Sequence, residues 1–175
     1  MISYSKLNQQ FKKQKLQYQY FHCQSQSDKY KLAEFIYNNT DNFVMNTFAL
    51  LWENRKFWKK WQPLVAFDEN GKIIGIHAFA EKEINGKKYL KTYYIVTSKE
   101  CRGKGIAKQL TLQVINDFKE IYSDFFVNSI QNSDGDKFYR KFISDKPTKK
   151  VNEFGTIDML FKNKISKILK NNKYP

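Results

Sequence analysis

The chain is expected to fold as a mixed α/β domain, a central sheet with helices on both faces. Runs rich in β-branched and aromatic residues alternate along it with stretches whose apolar residues recur at helical spacing. Glycine turns at Asp68-Glu69-Asn70-Gly71 and Asn85-Gly86 sit between strand-like runs and call for hairpins. The length, 175 residues, suits one domain with a proper core and no need of metals or disulfides.

Each element has its own signal. Residues 16–23 alternate and read as a first strand. Asp28 can cap a helix running through Asn38, with Leu32, Phe35 and Ile36 turned inward. Residues 41–61 look helical and carry Phe43, Phe48, Leu51, Trp52, Phe57, Trp58 and Trp61, an aromatic set that belongs in a core before it serves as a substrate platform. Strands at 63–67 and 72–80 flank the Gly71 turn, and Asn85-Gly86 joins the second of them to a strand at 88–97. Ile106, Ala107, Leu110, Val114, Phe118 and Ile121 mark a helix, residues 123–131 another strand. Beyond Tyr139 and Pro147 come strands near 149–154 and at 156–161. Residues 162–173 then read as a basic helix with Ile165, Ile168 and Leu169 on one side. With no repeat, no low-complexity linker and no second domain in the pattern, residues 1–175 are taken as a single domain.

The chemistry concentrates at Arg102-Gly103-Lys104-Gly105-Ile106-Ala107, where the strand at 90–97 feeds a short glycine turn that opens onto a helix. A helix start exposes backbone N–H groups backed by the positive end of the dipole, a fit for phosphate, and glycines let a ligand come close. Neither Gly-x-Gly-x-x-Gly nor Gly-x-x-x-x-Gly-Lys-Ser/Thr is present. What stands here, Arg-x-x-Gly-x-Ala between a strand and an amphipathic helix, resembles the pyrophosphate loop of the GNAT superfamily of acetyl-CoA-dependent N-acetyltransferases, Gln/Arg-x-x-Gly-x-Gly/Ala. Downstream, Asn132, Phe138, Tyr139 and Lys141 fall in register with that family's Asn-x-x-Ala-x-x-Phe-Tyr-x-Lys, with Gly135 for the alanine and Ile143-Ser144 in place of the usual Gly-Phe. The resemblance covers about residues 63–161.

The resemblance implies a mostly antiparallel sheet with a splayed parallel strand pair, formed by residues 90–97 and 125–131. Acetyl-CoA would be the cosubstrate, with no metal. Backbone groups at Ile95 and Thr97 would bond its pantetheine arm, Gly103, Lys104, Gly105, Ile106 and Ala107 would face its pyrophosphate, Arg102 would support the loop, and Asn132 would join the cofactor-binding set. Tyr139 would be the acid beside the sulfur, and its bland alternative is a packing aromatic next to Phe138. The attacking amine must be neutral, yet residues 88–97, where many family members place a glutamate, hold no carboxylate. Glu81, Glu83 and His77 are the candidates for the base, each with a structural alternative; a histidine titrates in the right range, and a water chain would also serve. The acceptor would be a primary amine of a small molecule or protein.

Charge bears on the acceptor. The 31 Lys and Arg against 17 Asp and Glu give +14, and only Arg55, Arg102 and Arg140 are arginine. Richness in Lys, Asn, Ile, Tyr and Phe also has an AT-rich codon explanation. Either way such a surface attracts polyanions, coenzyme A among them, and repels a lysine-rich tail. Two other functions stay open on the sequence: transfer to nucleic acid, a base or an aminoacyl-RNA, held by Trp52, Trp58 and Trp61 among lysines, and a non-catalytic CoA-binding module. Cys23 and Cys101 lack metal-ligand spacing. No apolar run reaches membrane-spanning length and no signal peptide pattern opens the chain, so a cytoplasmic protein, monomer or homodimer, is expected.

Overall fold

Turn chemistry sets much of the strand order. In the computed structural model, which describes residues 17–20, 26–40, 62–130, 133–144, 146–151, 155 and 157–173, β2 (Gln62–Phe67) turns into β3 (Ile73–Ile84) around Asp68. Its Oδ1 accepts from the N–H groups of Asn70 and Lys72, both at 2.9 Å. Asn85 and Gly86, with φ of 51° and 73°, then turn β3 into β4 (Lys87–Thr97). Two consecutive positive φ values are what a tight two-residue hairpin requires, and Asn-Gly meets them at least cost.

The remaining elements are β1 (Gln17–Tyr20), α1 (Gln26–Asn39), a 3₁₀ turn (Lys99–Cys101), α2 (Ile106–Asp117), β5 (Asp124–Ile130), α3 (Asp134–Phe142), β6 (Thr148–Val151), β7 (Ile157–Lys164) and α4 (Ile165–Asn171). Seven strands form one sheet in the order β1-β2-β3-β4-β5-β7-β6. The sheet is mostly antiparallel, and β4 and β5 make the parallel pair. Their register runs Leu90↔Phe125, Lys91↔Phe126, Thr92↔Val127 and stops, although β4 continues to Thr97 and β5 to Ile130. The two strands part after Thr92, which is the splay the sequence resemblance implied.

The described residues group into two compact units, one drawn from 1–76 and 96–110, the other from 77–95 and 111–175. The first buries Leu32, Ile36, Leu64, Val65, Ile74, Ile76, Ile106 and Leu110. The second buries Leu90, Phe125, Val127, Met159, Phe161 and Ile168, with α3 lying over β5 and β7.

Three boundaries differ from the sequence reading. α2 ends at Asp117, short of Phe118 and Ile121, both expected on its apolar face, and Ile121 is exposed. β3 runs on past Ala80 to Ile84. Residues 162–164, expected to open a helix, instead extend β7, because Lys162 and Lys164 pair with Phe126 and Asp124 on β5, and α4 begins only at Ile165. The aromatic stretch at 41–61, with Trp52, Trp58 and Trp61, lies outside the described residues, as does Asn132. Among the described residues no helix is long and apolar enough to cross a membrane.

Candidate active site

The turn between β4 and α2 is built from both ends. Ser98 N–H donates to the Ile74 carbonyl at 2.9 Å, and Cys101 N–H to the Ser98 carbonyl at 2.9 Å, which closes the 3₁₀ turn. Gly103 and Gly105 then take φ of +78° and +80°, where a side chain is strained. A Cβ on either would meet nothing within 4 Å. Glycine is needed here for backbone conformation, and the space beside it is open. Gln109 N–H donates to the Gly105 carbonyl at 3.0 Å, the first bond of the α2 ladder, so Ile106, Ala107 and Lys108 supply the N–H groups of the first helical turn. Lys104 N–H points back to the Cys101 carbonyl at 3.4 Å.

Arg102 is exposed, and its Nη2 donates to the backbone carbonyl of Asn39 at 2.7 Å. The Asn39 side chain accepts from Lys99 N–H at 3.0 Å and donates to the Phe35 carbonyl at 2.8 Å. The C-terminal end of α1, its negative pole, thus anchors the turn through a cation and an amide. Beneath α2, a Cβ on Gly75 would lie 2.9 Å from both Ile106 Cγ2 and Leu110 Cδ1. The helix that begins at the turn rests on β3 where a side chain is missing. Asn39 and Gly75 both escaped the sequence reading. An Asn at a helix end is a weak signal for a contact 60 residues away, whereas a lone Gly inside a strand does signal close approach.

Ile95 and Thr97 are half-buried on β4, beyond its last paired position with β5. Tyr139 sits on α3. Ser133 caps that helix, its Oγ accepting from Asp136 N–H at 3.1 Å, and Asp136 takes Arg140 Nε at 2.9 Å. The Tyr139 ring meets Phe138 edge-on at 4.9 Å and Phe161 at 5.7 Å between centroids, and the residue is 3% exposed. Burial pushes its phenol well above the usual tyrosine range, so it stays protonated and can donate.

The proposed bases fare differently. Glu81 is exposed, paired with Lys88 at 3.0 Å, and accepts from Tyr122 Oη at 3.0 Å; these two bonds hold its carboxyl below the usual range, which makes it a weaker base. Glu83 is exposed on the same strand. His77 is fully buried, with Nε2 2.8 Å from Thr92 Oγ1 and its ring edge-on to Phe79. A ring held this way is a packed core histidine.

Comparison with known proteins follows the same lines. The model of the acetyltransferase (GNAT) domain matches residues 37–162. Among curated proteins none matches the chain by sequence. Among solved structures, the GNAT family N-acetyltransferase YhbS of Escherichia coli, in complex with CoA, is similar with a TM-score of 0.65 at 15% identity, over 89% of this chain and 85% of that one. The PaiA N-acetyltransferase of Thermoplasma acidophilum, in complex with coenzyme A, gives 0.59 at 17%, over 84% and 99%. A mutant of the spermidine N-acetyltransferase SpeG of Vibrio cholerae gives 0.63 at 14%, over 90% and 98%. At such identities the likeness speaks for the fold. The family model adds the sequence, spanning both the glycine turn and Tyr139, and the chain belongs to the GNAT acetyltransferase family.

Proposed function

We propose that residues 1–175 form an acetyl-CoA-dependent N-acetyltransferase domain that moves the acetyl group to a primary amine of a small molecule or a protein. The observation that carries this is the turn at 102–107: two left-handed glycines with open space beside them, leading into a helix start that bears no acidic residue in its first turn. Its chemistry fits a pyrophosphate. N–H groups of Gly103, Gly105, Ile106 and Ala107 would face the phosphates, Lys104 and Arg102 would add positive charge, and the Asn39 anchor would keep the turn in shape. Ile95 and Thr97, where β4 has left β5, would offer backbone groups to the pantetheine arm, and Asn132 joins the set by resemblance alone.

The thioester supplies an activated acyl group. Tyr139 meets the departing sulfur as a hydrogen-bond donor: a thiol ionises near 8.5 and the buried phenol well above 10, so full proton transfer from this tyrosine is uphill while a hydrogen bond is not. Tyr139→Phe should leave acetyl-CoA affinity unchanged and lower turnover about 10²-fold. The decisive experiment follows free thiol released from acetyl-CoA across pools of alkyl amines, peptides, tRNA and DNA. Release with amines or peptides is expected. Acetyl label on nucleic acid alone would replace the amine acceptor, and no release with any pool would overturn the proposal.

A further inference from the structure

Side chains of β4 alternate between two faces. Leu90, Thr92, Tyr94 and Val96 are buried on one; Lys91, Tyr93, Ile95 and Thr97 are half-buried on the other. The register sets Thr92, Val127 and Phe161 in one row, and the Phe161 ring carries Tyr139. The neighbouring row, Lys91, Phe126 and Lys162, points to the opposite face, and Lys91 stands one residue before the strands part.

Lys91 is unlike the other lysines of this face. Lys162 donates to Tyr89 Oη at 2.8 Å, and Lys87 pairs with Asp124 at 2.6 Å. The Lys91 ammonium lies 4.5 Å from the Tyr93 ring centroid and 5.5 Å from that of Phe126, and among the described residues it makes no ion pair and no hydrogen bond. Lys82 on β3 and Asp158 on β7 are the charged groups that bear on it, with Tyr93 as the titratable neighbour on β4. Burial, then the like charge of Lys82, hold its amine below the usual lysine range, and Asp158 opposes them.

We propose that Lys91 is the general base of the acetyl transfer, taking the proton from the acceptor's ammonium group. The inference rests on the acetyltransferase function proposed above and fills its missing role. β4 offers no carboxylate, Glu81 is weakened by Lys88 and Tyr122, and His77 is sealed on the other face. In its neutral form, which the lowered pKa makes more accessible than for an ordinary lysine, the Lys91 amine accepts one proton, which leaves the acceptor nitrogen with a free lone pair. That pair forms the C–N bond to the acetyl carbon, the C–S bond breaks with its electrons on sulfur, the nitrogen's second proton goes to the thiolate, and Lys91 returns its proton to water. An ammonium and a thioester thus give an amide, a thiol and one proton. With phenol and amine on opposite faces of the strand fork, the donor beside sulfur and the base at nitrogen do not exchange protons with each other.

Lys91→Met and Lys91→Arg separate a base from a charge, because arginine keeps the charge and never gives up its proton. Turnover would be read as thiol release with the best alkyl or peptide amine of the pool, and with hydroxylamine, which is already neutral at pH 7. Both variants should keep acetyl-CoA affinity and the thermal midpoint. With the alkyl or peptide amine they should lose about 10²-fold in kcat/KM at pH 7 and recover as pH rises toward the acceptor's own pKa. With hydroxylamine the loss should be under about tenfold, since no ammonium has to be deprotonated. In carbon NMR of Cε-labelled lysines, Lys91, assigned through Lys91→Arg, should titrate below the rest. A Lys91→Arg enzyme with wild-type rate and pH profile, or a Lys91 that titrates with the other lysines, overturns the base while leaving the acetyltransferase standing. Wild-type protein that releases no thiol with any amine overturns both.

Discussion

α2 and α3 each follow a strand, and their first turns are furnished in opposite ways. At α2 the cap position is Gly105, no carboxylate stands in the first turn, and Lys104 and Lys108 flank it. At α3 the cap is Ser133, its hydroxyl already bound to Asp136 N–H, while Asp134 and Asp136 bring negative charge to the positive end of the dipole. Ser129 Oγ also lies 3.0 Å from Ser133 Oγ, filling the space beside Gly135. The second helix has answered its own dipole. The first carries no acid of its own. A helix dipole is common to both, so what distinguishes the two starts is the charge placed in the first turn.

The largest expected effect breaks the first helix start. Gly105→Val puts a β-branched residue at φ +80°, and the strain plus the bulk beside the turn should lower acetyl-CoA affinity by about 100-fold or more in titration calorimetry. Gly71→Val, at φ +75° in the β2–β3 hairpin, should cost comparable stability and leave affinity intact. Gly135→Ala tests the packed start: a Cβ there would fall 2.5 Å from Ser129 Oγ, so about 1–3 kcal/mol of stability should be lost by denaturant melt, with Ser129→Ala restoring most of it.

Next comes acid. Asp124, where β5 begins, is buried; burial alone would raise its pKa, but bonds from Lys87, Ser123 and Lys164 override this and bring it from 3.8 to about 2. A carboxylate whose folded pKa is depressed stabilises fully above its unfolded pKa and loses that contribution as pH falls toward the folded one. About 2 kcal/mol should therefore vanish between roughly pH 4 and 2, and Asp124→Asn should flatten the acid limb of the stability curve. The smallest effect is expected for Ser133→Ala, about 1 kcal/mol from the lost cap, with acetyl-CoA affinity unchanged.

What the sequence disclosed was local. Gly103, Gly105, the strand before them and the apolar period after them lie within one short stretch, and their spacing declares a strand, a turn and a helix. Asn85-Gly86 announced its hairpin for the same reason. Contacts across the chain stayed hidden: Asn39 meets Lys99 and Arg102 some 60 residues on, and no pattern marks it. His77 looked like a base because its side chain chemistry is visible in sequence and its full burial is not. Lys91 was passed over for the opposite reason. Lys87 and Lys162 also lie over a ring, and what sets Lys91 apart is its burial with no ion pair or hydrogen bond among the described residues, neither of which shows in sequence. Lys162 and Lys164 misled because an amphipathic run continues from strand into helix, and pairing with β5 decides where one ends.

The Asn39 anchor makes the end of α1 a party to whatever the glycine turn holds. A ligand that favours the anchored turn must, by thermodynamic reciprocity, favour the anchored helix end by the same factor. Acetyl-CoA should accordingly slow amide hydrogen exchange at Lys99, whose N–H is bound to the Asn39 side chain, and Asn39→Ala should weaken coenzyme binding from a position that need never touch it. Substitutions at the tail of α1 would then register as coenzyme phenotypes, so a screen for altered acetyl-CoA affinity should return changes there as well as in the turn.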